Sequence, residues 1–98
     1  MAIVRLASTA ETDIADIYVY LVQQSFDDAE KWLRRLNDIL QALAAFPQIG
    51  ERHHVNDHNY RRLVIGNYAV YYTPDFQGVT VYRILHSARQ IDEQLRRD

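Results

Sequence analysis

Apolar residues in the first half of the chain recur at the spacing of two amphipathic α-helices. The first stripe follows an i, i+3, i+4, i+7, i+8 pattern and consists of Ile14, Ile17, Tyr18, Leu21 and Val22. The second stripe consists of Ala29, Trp32, Leu33, Leu36, Ile39, Leu40, Leu43 and Ala44. Pro47 then ends the helical pattern, because proline disfavours the helical conformation in the residue before it. The short joint between the stripes predicts that the two helices lie antiparallel.

Serine residues precede both stripes at the spacing of a helix cap. Ser8 stands three residues before Glu11, which is the spacing of a capping box, and Ser25 stands three residues before Asp28. A serine hydroxyl in this position accepts a hydrogen bond from a backbone N–H that the first helical turn leaves free. We therefore expect Ser8 to cap the first helix and Ser25 to cap the second.

The rest of the chain predicts a small antiparallel sheet. Residues 2–6 alternate and are mostly apolar, which is typical of a short strand, and residues 79–85 form the last strand. Gly66-Asn67 is a two-residue hairpin turn with glycine in the position that requires a positive φ. Residues 47–59 are polar and rich in turn formers, so we expect a loop there. Residues 87–97 predict a short terminal helix.

The hairpin turn determines which residues lie opposite each other, and strand alternation then separates two faces. The expected pairs are Ile65 with Tyr68, Leu63 with Val70, and Arg61 with Tyr72. These residues form the more apolar face, which we expect to pack on the helices. The second face is mixed and should be available to a partner; it carries Tyr60, Arg62, Val64, Ala69, Tyr71 and Thr73. The predicted fold class is α+β, with a helical hairpin packed on a twisted antiparallel sheet of about four strands in one domain, residues 1–98.

Composition narrows the function classes. The chain has 98 residues, no cysteine and a formal net charge of −2. The lack of cysteine excludes a disulfide framework and a thiolate metal site. The charge argues against nucleic-acid binding through the phosphate backbone. No apolar run approaches the roughly 20 residues of a membrane helix, and the N-terminal MAIVRLAST lacks the apolar core of a signal peptide. We expect a cytoplasmic protein without a cofactor, and without sequence-specific nucleic-acid binding of its own.

Five motifs, taken in order, resemble the ParE branch of the RelE/ParE toxin superfamily. They are a D-I-x-x-I-x-x-Y-like helix core at 13–21, a P-x-x-G joint at 47–50, an Arg-led strand at 61–63, a Y-x-x-x-Y strand at 68–72, and the R-I-L-H-x-x-R ending at 83–89. The resemblance covers nearly the whole chain. It implies the toxin of a type II toxin–antitoxin pair, with a ParD-like antitoxin as its partner.

The superfamily contains two activities, which differ in their functional residues. RelE-like members are similar to ribonucleases that cut messenger RNA in the ribosome, whereas ParE-like members are associated with poisoning DNA gyrase without chemistry of their own. RelE-like proteins have basic residues at the first four of five ribonuclease positions and a tyrosine at the last. In this chain the five positions are occupied by Tyr60, Arg62, Ala69, Arg89 and Leu95. Ala69 and Leu95 cannot transfer a proton, and a guanidinium group does not titrate near neutrality. The resemblance therefore favours gyrase inhibition by binding over an enzyme.

Two sets of residues are candidates for contacts with these partners. The candidates for binding the target are Arg62, Tyr71, Arg83 and Arg89. We also weigh a patch in which Arg61, Arg62 and Arg83 lie among Tyr60, Tyr71 and Tyr82. The candidates for binding the antitoxin are Tyr18, Leu21, Val22 and Trp32, because an antitoxin tail that folds on the toxin needs exposed apolar surface. Trp32 also fits a core position.

Two alternative functions stay open. One is a ribosome-dependent messenger-RNA endonuclease with a divergent site of Arg62, His86 and Arg89. The other is a degenerate, non-toxic protein that only binds an antitoxin. The neighbouring residues His53, His54 and His58 are interpreted as part of a solvated loop rather than as a metal site, because no pattern of carboxylates beyond Glu51 and Asp57 accompanies them.

Overall fold

The computed structural model describes residues 3–87, and their helices and strands form the predicted α+β class. In chain order the elements are β1 (Ile3–Leu6), α1 (Ser8–Gln24), α2 (Phe26–Ala45), β2 (Glu51–Val55), β3 (His58–Ile65), β4 (Tyr68–Asp75) and β5 (Gly78–His86). The terminal helix predicted from residue 87 onward lies outside the described residues, apart from Ser87 itself.

Within residues 3–87 the sheet has five strands in the order β1-β5-β4-β3-β2 and is mixed, whereas about four antiparallel strands were predicted. β1 runs parallel to β5, with Ile3 opposite Gly78 and Leu6 opposite Val81. The other neighbouring pairs are antiparallel. A parallel pair requires a long connection, which the helical hairpin and the three intervening strands provide. The alternation of a strand reads the same in both directions, so the sequence pattern of β1 could not indicate its orientation.

The loop predicted over residues 47–59 is wrong for most of its length. Residues 51–55 form β2, and β3 already begins at His58. Asn56 and Asp57 join the two strands with φ values of 48° and 66°. Asn and Asp tolerate this left-handed conformation better than most residues, so the pair forms a tight hairpin turn. β2 lies at the edge of the sheet, and Val55 is its one buried residue, which explains why its sequence is polar.

The two helices begin in different ways. Ser8 is already the first helical residue of α1, Ala7 is its N-cap, and no side chain among residues 3–87 caps it, so the predicted capping box is wrong. The Ala7 N–H instead donates to the Val81 oxygen at 2.9 Å, which extends the β1–β5 ladder to the start of the helix. The cap predicted for α2 is confirmed, since the Ser25 hydroxyl accepts a hydrogen bond from the Asp28 N–H at 3.2 Å.

The main core lies between the helices and the sheet face that was predicted to meet them. It consists of Ala10, Leu36, Leu43, Ile65, Val70, Tyr72, Val79, Val81 and Ile84. The three predicted pairs across the Gly66-Asn67 turn are present, and Gly66 has the positive φ (58°) that the turn requires. A smaller cluster lies on the opposite face and consists of Val55, Ala69, Tyr71 and Leu85, with Tyr60 packed against it. We call this side of the sheet the distal face.

Candidate functional site

Arg62 and Tyr71 form the polar centre of the distal face. They are cross-strand partners on β3 and β4, and Arg62 Nε donates a hydrogen bond to the Tyr71 hydroxyl at 3.0 Å. The guanidinium carbon also lies 6.0 Å from the centre of the Tyr71 ring. A guanidinium group held in one orientation can bind a carboxylate or phosphate with less loss of entropy than a free side chain. The structure therefore brings two of the sequence-predicted target residues together.

Aromatic rings extend this surface on both sides. His53 on β2 contacts the Tyr71 ring edge-on, with 5.5 Å between ring centres. Tyr60 contacts Tyr82 in the same manner at 5.7 Å. The irregular register between Tyr71 and Tyr72, with Arg83 opposite the first and Val81 opposite the second, leaves Tyr82 as the extra residue of a β-bulge. The bulge allows the Tyr82 side chain to reach Tyr60 on the distal face.

Arg61 does not join this surface. Its guanidinium group donates to the Gly50 oxygen at 2.6 Å and to the Gln48 oxygen at 3.2 Å. The Tyr72 hydroxyl binds the same joint, since it accepts from the Gly50 N–H at 2.8 Å and donates to the Pro47 oxygen at 2.9 Å. Burial raises the pKa of the Tyr72 hydroxyl, an effect that the Gly50 N–H and the Arg61 charge partly oppose. Arg61 and Tyr72 thus clamp the P-x-x-G joint to the sheet.

Arg83 is engaged by α1. Its Nε and Nη2 atoms donate to the two carboxylate oxygens of Asp13 at 2.7 and 3.0 Å, and both side chains are about nine-tenths buried (13% and 12% exposed). Asp13 also accepts the Ile84 N–H at 2.9 Å. Among residues 3–87, β5 has no strand partner on the β1 side beyond Val81. The Asp13 carboxylate therefore accepts the Ile84 N–H that a neighbouring strand would otherwise pair, and it holds the Arg83 guanidinium group beside α1.

The two described members of the alternative ribonuclease site lie on opposite faces of the sheet. Arg62 is on the distal face, with Tyr71. His86 pairs with Tyr68, contacts its ring at 5.6 Å, and shares the helix side of the sheet with it. Ala69 is completely buried in the distal cluster, and Arg89 lies outside the described residues. The sheet thus separates the Arg62 guanidinium from the His86 imidazole.

The neighbouring histidines are strand residues rather than loop residues. His53 is on the distal face against Tyr71, and within residues 3–87 its Nε2 is buried without a hydrogen-bond partner. His54 Nδ1 lies 2.7 Å from Asn59 Oδ1, and His58 contacts the Tyr60 ring at 6.0 Å. In the part of the chain that the structure describes, no group of three His, Cys, Asp or Glu side chains is arranged to hold a metal ion.

The candidates for antitoxin binding occupy different parts of the helical hairpin. The Tyr18 hydroxyl donates to Glu30 at 2.5 Å, which raises the pKa of Tyr18, and burial and the carboxylate charge add to the effect. Val22 is 37% exposed. Trp32 contacts the Tyr68 ring edge-on at 5.7 Å and packs against the core, and its Nε1 is buried without a partner among residues 3–87. Leu21 lines a groove beside α1.

This groove runs between α1 and the end of the sheet where β3 turns into β4. Its volume is about 810 Å³, and its walls consist of Asp13, Asp16, Ile17, Tyr20, Leu21, Gln24, Asp28, Asn67, Tyr68, Arg83, Ile84, Leu85 and His86. We call it the α1 groove. The sequence offered one signal for it, because Asp13 and Asp16 are three residues apart beside the apolar stripe of α1. The groove itself arises only when β5 packs beside that helix.

The family of the chain follows from a comparison of its sequence with known proteins. The family model described as the ParE toxin of the type II toxin–antitoxin system parDE matches residues 4–91. The chain belongs to the ParE toxin family. The match spans the toxin's clamp, the distal face and the α1 groove, and it confirms the resemblance found in the sequence motifs.

Individual relatives agree with this assignment. The protein named Toxin ParE1 from Mycobacterium tuberculosis, in strains CDC 1551 / Oshkosh and ATCC 25618 / H37Rv, is 33% identical over 70 residues, which is 70% of this toxin and 71% of that protein. A solved chain described as the chromosomal ParDE TA system from P. aeruginosa superposes with a TM-score of 0.70 at 17% identity, and the match covers 88% of this toxin and 96% of that chain. At that identity the likeness concerns the fold. None of the helices in residues 3–87 has the length and hydropathy needed to span a lipid bilayer.

Proposed function

We propose that this ParE-family toxin inhibits DNA gyrase by binding to it, without chemistry of its own, and that a ParD-like antitoxin neutralises it. The observation that carries the proposal is the separation of Arg62 and His86 on opposite faces of the sheet. Cleavage of RNA at the 2′-hydroxyl needs a proton acceptor, a proton donor and cationic stabilisation at the same phosphodiester. A guanidinium group and an imidazole on opposite faces cannot act on one phosphate together.

The buried position of Ala69 supports the same proposal. RelE-like ribonucleases are expected to carry a basic residue there, whereas Ala69 is completely buried beneath the distal face. A longer side chain at this position would have to displace Tyr71 or Leu85. Arg62 alone can bind an anionic group but cannot act as an acid or a base near neutral pH.

The surface that we propose for the target is the distal face around Arg62 and Tyr71. Their mutual hydrogen bond and the adjoining rings of Tyr60 and Tyr82 combine an oriented cation with aromatic side chains, a combination that is enriched at the centres of protein interfaces. The sequence-predicted set also contains Arg83, whose guanidinium group is held by Asp13 beside α1, and Arg89, which lies outside the described residues. The function requires a cytoplasmic toxin, because bacterial DNA gyrase acts on the chromosome.

A supercoiling assay with purified DNA gyrase tests this function. We expect the wild-type toxin to inhibit supercoiling, and Arg62→Ala to weaken inhibition by about tenfold or more, as for a central interface residue. Arg35→Ala is the matched control, because Arg35 is an exposed arginine on α2. The proposal fails if the wild-type toxin leaves gyrase active but cleaves transcripts on translating ribosomes in a primer-extension assay. A toxin that does neither and permits growth without its antitoxin would be the non-toxic alternative.

The antitoxin surface that we propose includes Tyr18, Leu21, Val22 and Trp32 on the helical hairpin. Val22→Asp is the most direct test, because Val22 is exposed in the free toxin (37%) and the charge should not disturb the core. A carboxylate buried against the apolar side chains of a partner is costly. Val22→Asp should therefore weaken antitoxin binding in calorimetry, whereas Phe76→Asp, at the exposed β4–β5 turn, should not. Equal affinity of wild type and Val22→Asp would remove Val22 from the interface.

A further inference from the structure

Two large apolar side chains stand on the surface at the P-x-x-G joint. Phe46 is 67% exposed and Ile49 is 54% exposed. The Ile49 N–H donates to the Phe46 oxygen at 3.1 Å, so the two residues are the ends of one turn, and we call their side chains the joint patch. Within residues 3–87, neither side chain belongs to the main core or to the distal cluster. Burial in the toxin itself therefore does not account for their apolar character.

The clamp holds this turn without using either side chain of the joint patch. The Arg61 guanidinium group donates to the backbone oxygens of Gln48 and Gly50, and also to the Gln48 side chain. The Tyr72 hydroxyl bonds the Pro47 oxygen and the Gly50 N–H. These five hydrogen bonds fix the backbone of the turn. A surface that is fixed before binding loses less conformational entropy when a partner covers it.

The joint patch adjoins the distal face at an edge of the sheet. Gly50 directly precedes Glu51, the first residue of β2, and Glu51 lies opposite Arg62 on β3. β2 is an edge strand of the sheet formed within residues 3–87, and neighbouring strands are only about 4.8 Å apart. A partner that covers Arg62 on the distal face can therefore reach around β2 to the joint patch.

We propose that the joint patch is a second contact of the toxin with DNA gyrase, in which Phe46 and Ile49 enter an apolar cleft on the enzyme while Arg62 binds it from the distal face. The inference rests on the gyrase-binding function proposed above and extends its surface. Aromatic side chains are enriched at the fully covered cores of protein interfaces. Because both side chains project from a fixed turn, the partner must supply the concave surface, which a large folded enzyme can offer.

Other partners fit the joint patch less well. The antitoxin surface proposed above lies in the first half of α2, where the Tyr18 hydroxyl bonds Glu30. Phe46 follows the end of this helix, roughly 24 Å further along its axis than Glu30. A second copy of the toxin would gain little, because two side chains bury a few hundred Å² at most, whereas a stable interface buries about 800 Å² on each partner. For gyrase, the distal face supplies the remaining area.

The test compares two double variants that remove the same residue types. Phe46→Ala with Ile49→Ala removes the joint patch, whereas Phe76→Ala with Ile3→Ala removes a phenylalanine (96% exposed) and an isoleucine (46% exposed) elsewhere on the surface. A third variant, Phe46→Leu with Ile49→Val, keeps most of the apolar surface. A supercoiling assay with purified gyrase gives the toxin concentration for half-maximal inhibition, and calorimetry gives the affinity for the antitoxin. Urea unfolding checks that every variant is folded.

We expect the alanine variant of the joint patch to need about tenfold more toxin for half-maximal inhibition of gyrase, with an unchanged affinity for the antitoxin. The control variant should inhibit gyrase as wild type does. The leucine–valine variant should recover most of the inhibition, because the free energy gained from covering apolar surface follows the area covered.

Equal inhibition by the alanine variant and wild type would overturn the inference but leave the proposed function in place. Weaker antitoxin binding with unchanged inhibition would also overturn it, by assigning the joint patch to the antitoxin. The same holds for a wild-type dimer in light scattering that this variant dissociates without losing inhibition, since the patch would then bind a second copy. A leucine–valine variant as weak as the alanine variant would show that the contact is not apolar and the inference is wrong. If the wild-type toxin does not inhibit gyrase, the proposed function fails and this inference fails with it.

Discussion

Replacing Tyr72 with phenylalanine tests whether one buried hydroxyl holds the joint between α2 and β2. Tyr72 is completely buried, and its hydroxyl bonds the Gly50 N–H at 2.8 Å and the Pro47 oxygen at 2.9 Å. Tyr72→Phe removes both hydrogen bonds and leaves the N–H of the buried Gly50 unpaired. Each lost bond costs about 1 kcal/mol net, and an unpaired buried donor costs about 1–2 kcal/mol more. We expect the free energy of unfolding to fall by about 3–4 kcal/mol, which is a large part of the stability of roughly 5–15 kcal/mol that is typical of a small domain.

Urea unfolding followed by far-ultraviolet circular dichroism measures this loss. A change of this size should also lower the melting temperature by roughly 12–32 °C for a domain of this length. Tyr82→Phe is the matched control, because Tyr82 is 38% exposed and its hydroxyl makes no hydrogen bond within residues 3–87. Its effect should stay below about 0.5 kcal/mol. If Tyr72→Phe costs no more than Tyr82→Phe, the clamp does not stabilise the joint and the reasoning is refuted.

A second substitution tests the same contact from the other side. A Cβ atom added at Gly50 would lie 2.6 Å from the Tyr72 hydroxyl oxygen and 2.8 Å from the nearest ring carbon, Cε1, which is closer than packed atoms approach. Gly50→Ala should therefore destabilise the fold through overpacking, by about 1–3 kcal/mol. Because both changes act on one contact, the double variant should lose less stability than the two single losses together. Strict additivity would show that Gly50 is required for another reason.

Three further outcomes are expected. Asp13→Asn should cost about 1–3 kcal/mol of stability in urea unfolding, because Arg83 loses its charged partner; an unchanged midpoint would show that Asp13 does not anchor β5. Ser25→Ala should cost about 1 kcal/mol by the same measurement, since it removes the cap of α2, and a glycine substitution should cost less. The pKa of Tyr72 is raised in the folded state, so folding favours the protonated hydroxyl. The stability that this hydroxyl contributes is therefore fully present below about pH 10 and is lost as the pH rises further. Tyr72→Phe should flatten this alkaline fall in the free energy of unfolding.

Local patterns in the sequence were enough for the helical hairpin and the β3–β4 hairpin. Helical periodicity identified both stripes, and the Gly66-Asn67 turn predicted the register of Ile65 with Tyr68, because a two-residue turn leaves only one pairing. The family resemblance followed from the order of short motifs along the chain. Each of these features depends on residues that are close in sequence.

The errors concern features that distant residues impose. β2 was missed because an edge strand with one buried residue lacks the apolar alternation of an interior strand. The start of α1 was misjudged because no local side chain caps it. Instead, the Ala7 N–H donates to the Val81 oxygen, so the β1–β5 hydrogen-bond ladder continues to the first turn of the helix.

The candidate sites show the same division. The sequence by itself determined the chemistry of each side chain. It was therefore enough to show that Ala69 cannot replace a basic residue of a ribonuclease. Only the tertiary structure decided which partner each of three arginines contacts. Arg61 clamps the P-x-x-G joint, Arg83 binds Asp13, and Arg62 donates a hydrogen bond to the Tyr71 hydroxyl. The physical reason is that side-chain chemistry is a local property, whereas the partner available to a guanidinium group depends on the strand, face and helix that long-range packing brings beside it.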